Sequence, residues 1–148
     1  MHSSLYFSVT YLWYLAALVV CGLCVWKGDQ PLRWTGVVVI LSWASTPLFS
    51  HWDQHGVNLP VSVIDTNTAL AIIWISARWR TLWSAVLAAF TVLTVLNPFV
   101  AMADPAIHRN SWLGANNVLA IAELTIMLVA LGLTLRARRR ADEGAVRS

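Results

Sequence analysis

Five apolar runs, each of roughly 20 residues, follow one another along the chain with only short polar breaks between them: 5–26, 34–52, 61–79, 82–100 and 112–135. At a rise of about 1.5 Å per residue each is long enough, as a helix, to cross a hydrocarbon core about 30 Å thick. Helices are the expected spanning form, because open strands leave backbone groups unpaired in lipid. With 58% hydrophobic and 11% charged residues and a mean hydropathy of +0.64, the chain has too little polar side chain to coat a water-soluble domain of its size. The expected fold is an all-α membrane protein, a single bundle of five transmembrane helices over residues 1–140, with 141–148 as a short polar tail.

Charge sets the expected orientation. Lys27 and Arg33 lie between the first two runs, Arg78 and Arg80 between the third and fourth, and Arg136, Arg138, Arg139, Arg140 and Arg147 after the last; only Arg109 falls on the other side. Short loops rich in Lys and Arg stay cytoplasmic, so the N-terminus is expected outside and the C-terminus inside. The breaks carry turn residues at Gly28 to Pro31, Gly56 to Pro60 and Asp104-Pro105. Between the third and fourth runs there is only Ala77-Arg78-Trp79-Arg80-Thr81. A continuous helix through it would bury two arginines, so a tight helical hairpin is expected there. Trp26, Trp34, Trp79 and Trp83 flank the Arg-rich loops and Trp52 and Trp112 the others, as interfacial belts do. Trp13, Trp43 and Trp74 fall inside spans and read as packing residues.

Several function classes drop out. The basic residues at the end form one tail without interleaved aromatics on which bases stack, so nucleic acid is not an expected partner; anionic lipid head groups are. No basic segment precedes the first run and no small-residue cleavage site ends it, so that run reads as a retained span. Cys21 and Cys24 form a C-x-x-C, but at the cytoplasmic end of the first helix, beside Gly22, they read as small residues at a helix interface rather than as a redox pair.

Polar residues inside spans are costly in lipid and turn inward or toward water. In the fifth run Asn116, Ala120, Glu123, Met127 and Ala130 recur at helical spacing and form one face. Glu123 lies about 16 Å along that helix from Trp112, close to the midplane. There desolvation penalises the anion, so the expected form is a protonated donor that ties helices together, with Thr91, Thr94 or a Trp indole as partner; a proton or ligand role is the alternative. Asp65, in Asp65-Thr66-Asn67-Thr68, reads first as a cap at the outer end of the third helix. Asp65, Thr68, Asn97, Asn116 and Asn117, with His51, Asp53, His55 and His108 above them, mark the outer half of the bundle as the place for a polar pocket narrowing toward Glu123. Pro47 and Pro98 are expected to kink the second and fourth helices and release carbonyls into it.

The His51-x-x-x-His55 spacing places two imidazoles on one helical face, which makes these residues the candidate metal or haem ligands. Asp53 offers an oxygen, but no second matched pair completes a site. No cofactor is therefore expected, with haem or a pigment kept as a lesser alternative.

Trp26-Lys27-Gly28-Asp29 after the first span, an acid opening the third, the Arg78-Trp79-Arg80-Thr81-Leu82-Trp83 hairpin and the terminal Arg run resemble small uncharacterised five-helix membrane proteins of alphaproteobacteria. The resemblance extends over nearly the whole chain and implies a bacterial cytoplasmic membrane, but no activity or catalytic residue. Short loops and the lack of a nucleophile–base pair lead to a non-catalytic accessory or assembly subunit of a larger inner-membrane complex, with the bilayer and other membrane subunits or further copies of itself as partners. A small proton-linked carrier or channel using Glu123 and Asp65 is the alternative. A holin-like pore is a minor one.

Overall fold

The computed structural model describes residues 2–49, 58–103 and 109–147, with side chains described for 14–49, 58–100, 103, 114–143 and 145. Within them the chain forms five helices: α1 (His2–Lys27), α2 (Gln30–Phe49), α3 (Leu59–Trp79), α4 (Leu82–Ala103) and α5 (Arg109–Arg147). The all-helical expectation and all five runs are recovered. The end of the second run, including Trp52, and the turns at Gly56 and Asp104-Pro105 lie outside the described residues.

Neighbours in sequence are neighbours in space. Each helix packs on the next, α1 closes the ring against α5, and α2 touches α5 across it. Where the ring closes, Cys21 and Cys24 of α1, Leu32 of α2 and Met127 of α5 are fully buried, and Cys24 Sγ lies 3.9 Å from the Met127 carbonyl. The two cysteines are free thiols used as small packing residues. Large apolar side chains stand on the outward faces: Leu15, Leu70, Leu93 and Leu128 are all exposed. Four stretches, Gln30–Phe49, Leu59–Trp79, Leu82–Val100 and Gly114–Glu143, are long and apolar enough to cross a membrane, and the described apolar part of α1 is Tyr14–Lys27. The molecule is thus consistent with a multi-pass membrane protein.

The α1–α2 turn is built on a close approach. A Cβ at Gly28 would sit 2.3 Å from the Cys24 carbonyl oxygen, so only glycine lets the chain turn so tightly against α1. Its amide donates to Cys24 O at 2.9 Å, and Asp29 Oδ1 then accepts from the Leu32 amide at 3.2 Å to start α2. The α3–α4 hairpin is as tight as expected. Arg80 takes the left-handed conformation (φ 52, ψ 38), its amide donates to Ser76 O, and α4 starts two residues later. Thr81 and Ser84 hydroxyls bond each other and the Thr81 carbonyl at 2.8 Å, holding the first turn of α4.

Two expectations are corrected. Asp65 is not a cap: α3 begins at Leu59, and Asn58 caps it by accepting from the Val61 amide, with Pro60 in the first turn where its missing N–H costs nothing. Trp74 is not a core residue either. It is 61% exposed and packs edge-on against Trp79, with centroids 5.8 Å apart. Trp43 does pack, edge-on to Tyr14 at 5.7 Å. The side chain of Trp13 lies outside the described residues.

α5 is the longest element at 39 residues, about 58 Å by its rise. That is well beyond a hydrocarbon core. It continues as helix through Arg136–Arg140 into the segment expected to be a short tail.

Candidate functional site

The polar residues expected to share a site lie where α4 packs between α3 and α5. Thr94 Oγ1 of α4 lies 3.1 Å from Glu123 Oε1 of α5, and Thr91, one turn away along α4, is buried. Toward the other end of the seam Asn97 Nδ2 donates to Asn116 Oδ1 at 2.8 Å. Two bonds thus join α4 to α5, Thr94 to Glu123 and Asn97 to Asn116, and Thr94 is one of the partners foreseen for Glu123, while Asp65 lies on α3, which packs on α4 and not on α5.

The hydroxyl protons decide how the seam works. Thr91 Oγ1 is 2.9 Å from Leu87 O, and Thr94 Oγ1 is 3.1 Å from Phe90 O as well as from Glu123. A hydroxyl has one proton to donate but two lone pairs that accept. If Thr94 spends its proton on Phe90 O, its bond to Glu123 requires the carboxyl to be the donor, which a neutral acid can be; the alternative is a carboxyl oxygen that accepts the Thr94 proton. Pro98 lacks the amide that would otherwise bond the Thr94 carbonyl, so this turn of α4 carries an acceptor that the helix itself does not satisfy.

Of the residues expected to line an open pocket, Asn97 and Asn116 bond each other across the seam. Thr68 is part-buried and donates to Ile64 O within α3. Asn117 is exposed, one residue off the Asn116 face. His51, Asp53, His55 and His108 lie outside the described residues, and among those described no group of three or more His, Cys, Asp and Glu side chains converges. A cleft of about 120 Å³ occurs elsewhere, between α1 and α2, lined by Tyr14, Ala17, Cys21, Val39, Trp43 and Pro47. Its walls are almost wholly apolar.

A second polar constellation was not foreseen. The Gly28 carbonyl accepts from Arg33 Nε at 3.0 Å and from Arg138 Nη2 at 3.1 Å, which joins the α1–α2 turn to α5. The only signal in the sequence was the crowding of Lys27, Gly28, Asp29 and Arg33 into one break. Nothing there points to residue 138.

No family model, curated protein or solved structure matches this chain.

Proposed function

We propose that the chain is a five-span protein of a bacterial cytoplasmic membrane, N-terminus outside and Arg-rich end inside, which serves as a non-catalytic accessory or assembly subunit of a larger membrane complex. The observation that carries this reading is a set of polar side chains on the outward faces. Asn67 of α3 is exposed about 12 Å from the start of its helix. One of its amide hydrogens goes to Val63 O at 2.9 Å; a side-chain amide has a second hydrogen and an acceptor oxygen to place. Asn117 is exposed too, as are Thr66 and Thr125, whose hydroxyls donate to Ser62 O and Ile121 O of their own helices. Facing hydrocarbon these groups are costly, whereas against a neighbouring helix they are the usual glue of membrane assemblies. Inside the bundle, by contrast, no buried side-chain nitrogen or oxygen among the described residues lacks a partner. Polar capacity is thus directed outward.

Purification from native membranes in mild detergent tests this: partner polypeptides in fixed stoichiometry are expected, and Asn67→Leu should loosen them while leaving the bundle folded. A second reading, a proton-linked carrier, is favoured by the Glu123 carboxyl within the α4–α5 seam, where it is bonded to Thr94. A lone particle that moves protons or solute in liposomes, and stops doing so in Glu123→Gln, would replace the first reading with the second.

A further inference from the structure

Arg33 enters from the first turn of α2 and Arg138 from α5, 110 residues apart in sequence from Gly28, yet both guanidinium groups end on the one Gly28 carbonyl. That carbonyl lies at the C-terminal end of α1, where partial negative charge accumulates, and half an elementary charge does not neutralise two cations. Lys27 adds a third, exposed and held over the Trp26 ring at 5.0 Å. The acid of the same turn, Asp29, has Oδ1 committed to the Leu32 amide. Two guanidiniums therefore share one carbonyl, with Lys27 on the residue before it and the Asp29 carboxylate on the residue after. Each guanidinium uses a single N–H on Gly28 and has a planar fork of further donors.

From this geometry we infer that Arg33 and Arg138 form a clamp for a phosphate group, with Lys27 as an auxiliary cation, and that its occupant is the phosphodiester of an anionic lipid. A phosphodiester has two non-bridging oxygens, which lets one group accept from both guanidiniums and screens them from each other. The position selects lipid over a free anion. The clamp sits where the apolar stretch of α5 gives way to Arg136–Arg140, and Trp26 and Trp34, 72% and 52% exposed, stand on the adjoining turns as head-group-level aromatics do. This placement rests on the helices being membrane spans; the convergence of the two arginines does not. Occupied, the clamp would tie the α1–α2 turn to the extension of α5 and fix how that helix leaves the bilayer.

The test uses the full chain purified in mild detergent and native mass spectrometry of retained phosphatidylglycerol, with phosphatidylcholine as the zwitterionic comparison and inorganic phosphate as competitor. Arg33→Lys/Arg138→Lys keeps every charge, and with it membrane orientation, but removes the forks. Arg139→Gln/Arg140→Gln lowers the charge of the same helix without touching the clamp. Wild type should retain phosphatidylglycerol over phosphatidylcholine, the Lys pair should lose about tenfold in that retention, and the Gln pair should lose less than about threefold. Equal losses in the two variants would reduce the effect to bulk charge and overturn the clamp, as would undiminished retention in the Lys pair with an unchanged unfolding midpoint. Displacement by millimolar inorganic phosphate in wild type would overturn the assignment to lipid.

Discussion

Gly36 is the residue whose replacement most directly probes how α1 and α2 meet. A Cβ there would lie 2.9 Å from the Cys21 carbonyl oxygen, 3.0 Å from Val25 Cγ2 and 3.4 Å from Cys24 Cβ, where ordinary contact begins at 3.4 Å. The first obstacle is backbone and the second is a β-branched side chain with one preferred rotamer in a helix, so neither gives easily and the helices must part by a few tenths of an ångström. Overpacking of this kind costs about 1–3 kcal/mol, while alanine in place of glycine inside a helix returns about 1 kcal/mol. Gly36→Ala should therefore be destabilising by up to about 2 kcal/mol. Gly22 and Gly132 are the internal controls, since a Cβ at either meets nothing within 4 Å; there the propensity gain acts alone, and alanine should be neutral or stabilising by up to about 1 kcal/mol. The assay is reversible unfolding in mixed micelles followed by tryptophan fluorescence, for which the chain has nine reporters. Val25→Ala removes the 3.0 Å obstacle, so the double variant should be better than additive by about 0.5 kcal/mol or more. If Gly36→Ala stabilises as much as Gly132→Ala, the close α1–α2 crossing is refuted.

Arg80→Gly should raise stability in the same assay by about 1 kcal/mol, because the left-handed conformation at this position costs a non-glycine residue about 1–2 kcal/mol; Arg80→Lys, which keeps the strain, should not, and equal behaviour of the two would count against a strained hairpin. Asn97→Leu should cost about 1 kcal/mol by breaking the 2.8 Å bond to Asn116, and adding Asn116→Leu should cost less than it does alone; strict additivity would mean that the two amides are not coupled. Trp43→Ala should cost about 3 kcal/mol, since the ring is part-buried and edge-on to Tyr14, whereas Trp74→Ala, on an exposed ring, should cost less than about 1 kcal/mol; the reverse order would show that helix α3 is rotated from the orientation described.

The number of the helices was legible because it follows from length and apolarity alone, and the α3–α4 hairpin because two arginines are too costly to bury; the end of α5 was not, since its polar, Arg-rich continuation is helical as far as Arg147. Helix starts were less so. Asp65 was read as a cap from its charge and position, but capping depends on which residue has extended dihedrals just before the helix, and Asn58 with Pro60 two residues on was the stronger signal. The deciding local chemistry lies three residues upstream of the apolar run, at Asn58, and not in the charge inside it.

Helix rotation is the harder problem, and it separates the half of the bundle that the sequence reveals from the half that it conceals. In a water-soluble helix the apolar stripe gives the inward direction, whereas in this chain both faces are apolar and hydrophobic periodicity carries no phase. Phase must then come from polar or small residues. α5 has Asn116 and Glu123 four and three positions from Ala120, and α4 has Thr91, Thr94 and Asn97 three apart, so their facing sides were readable and meet as the pattern implies. α1 and α2 offer no such carboxyl or amide in their described cores. Their contact is set by Cys21, Cys24 and Gly36, whose common property is small volume, and small residues in a run this apolar are too numerous to single out a face. The same reasoning explains the Arg33–Gly28–Arg138 junction: it depends on where the ring of helices closes, which is fixed by that unreadable α1 face packing on Met127, and so residue 138 is assigned to the α1–α2 turn only by the three-dimensional closure of the bundle.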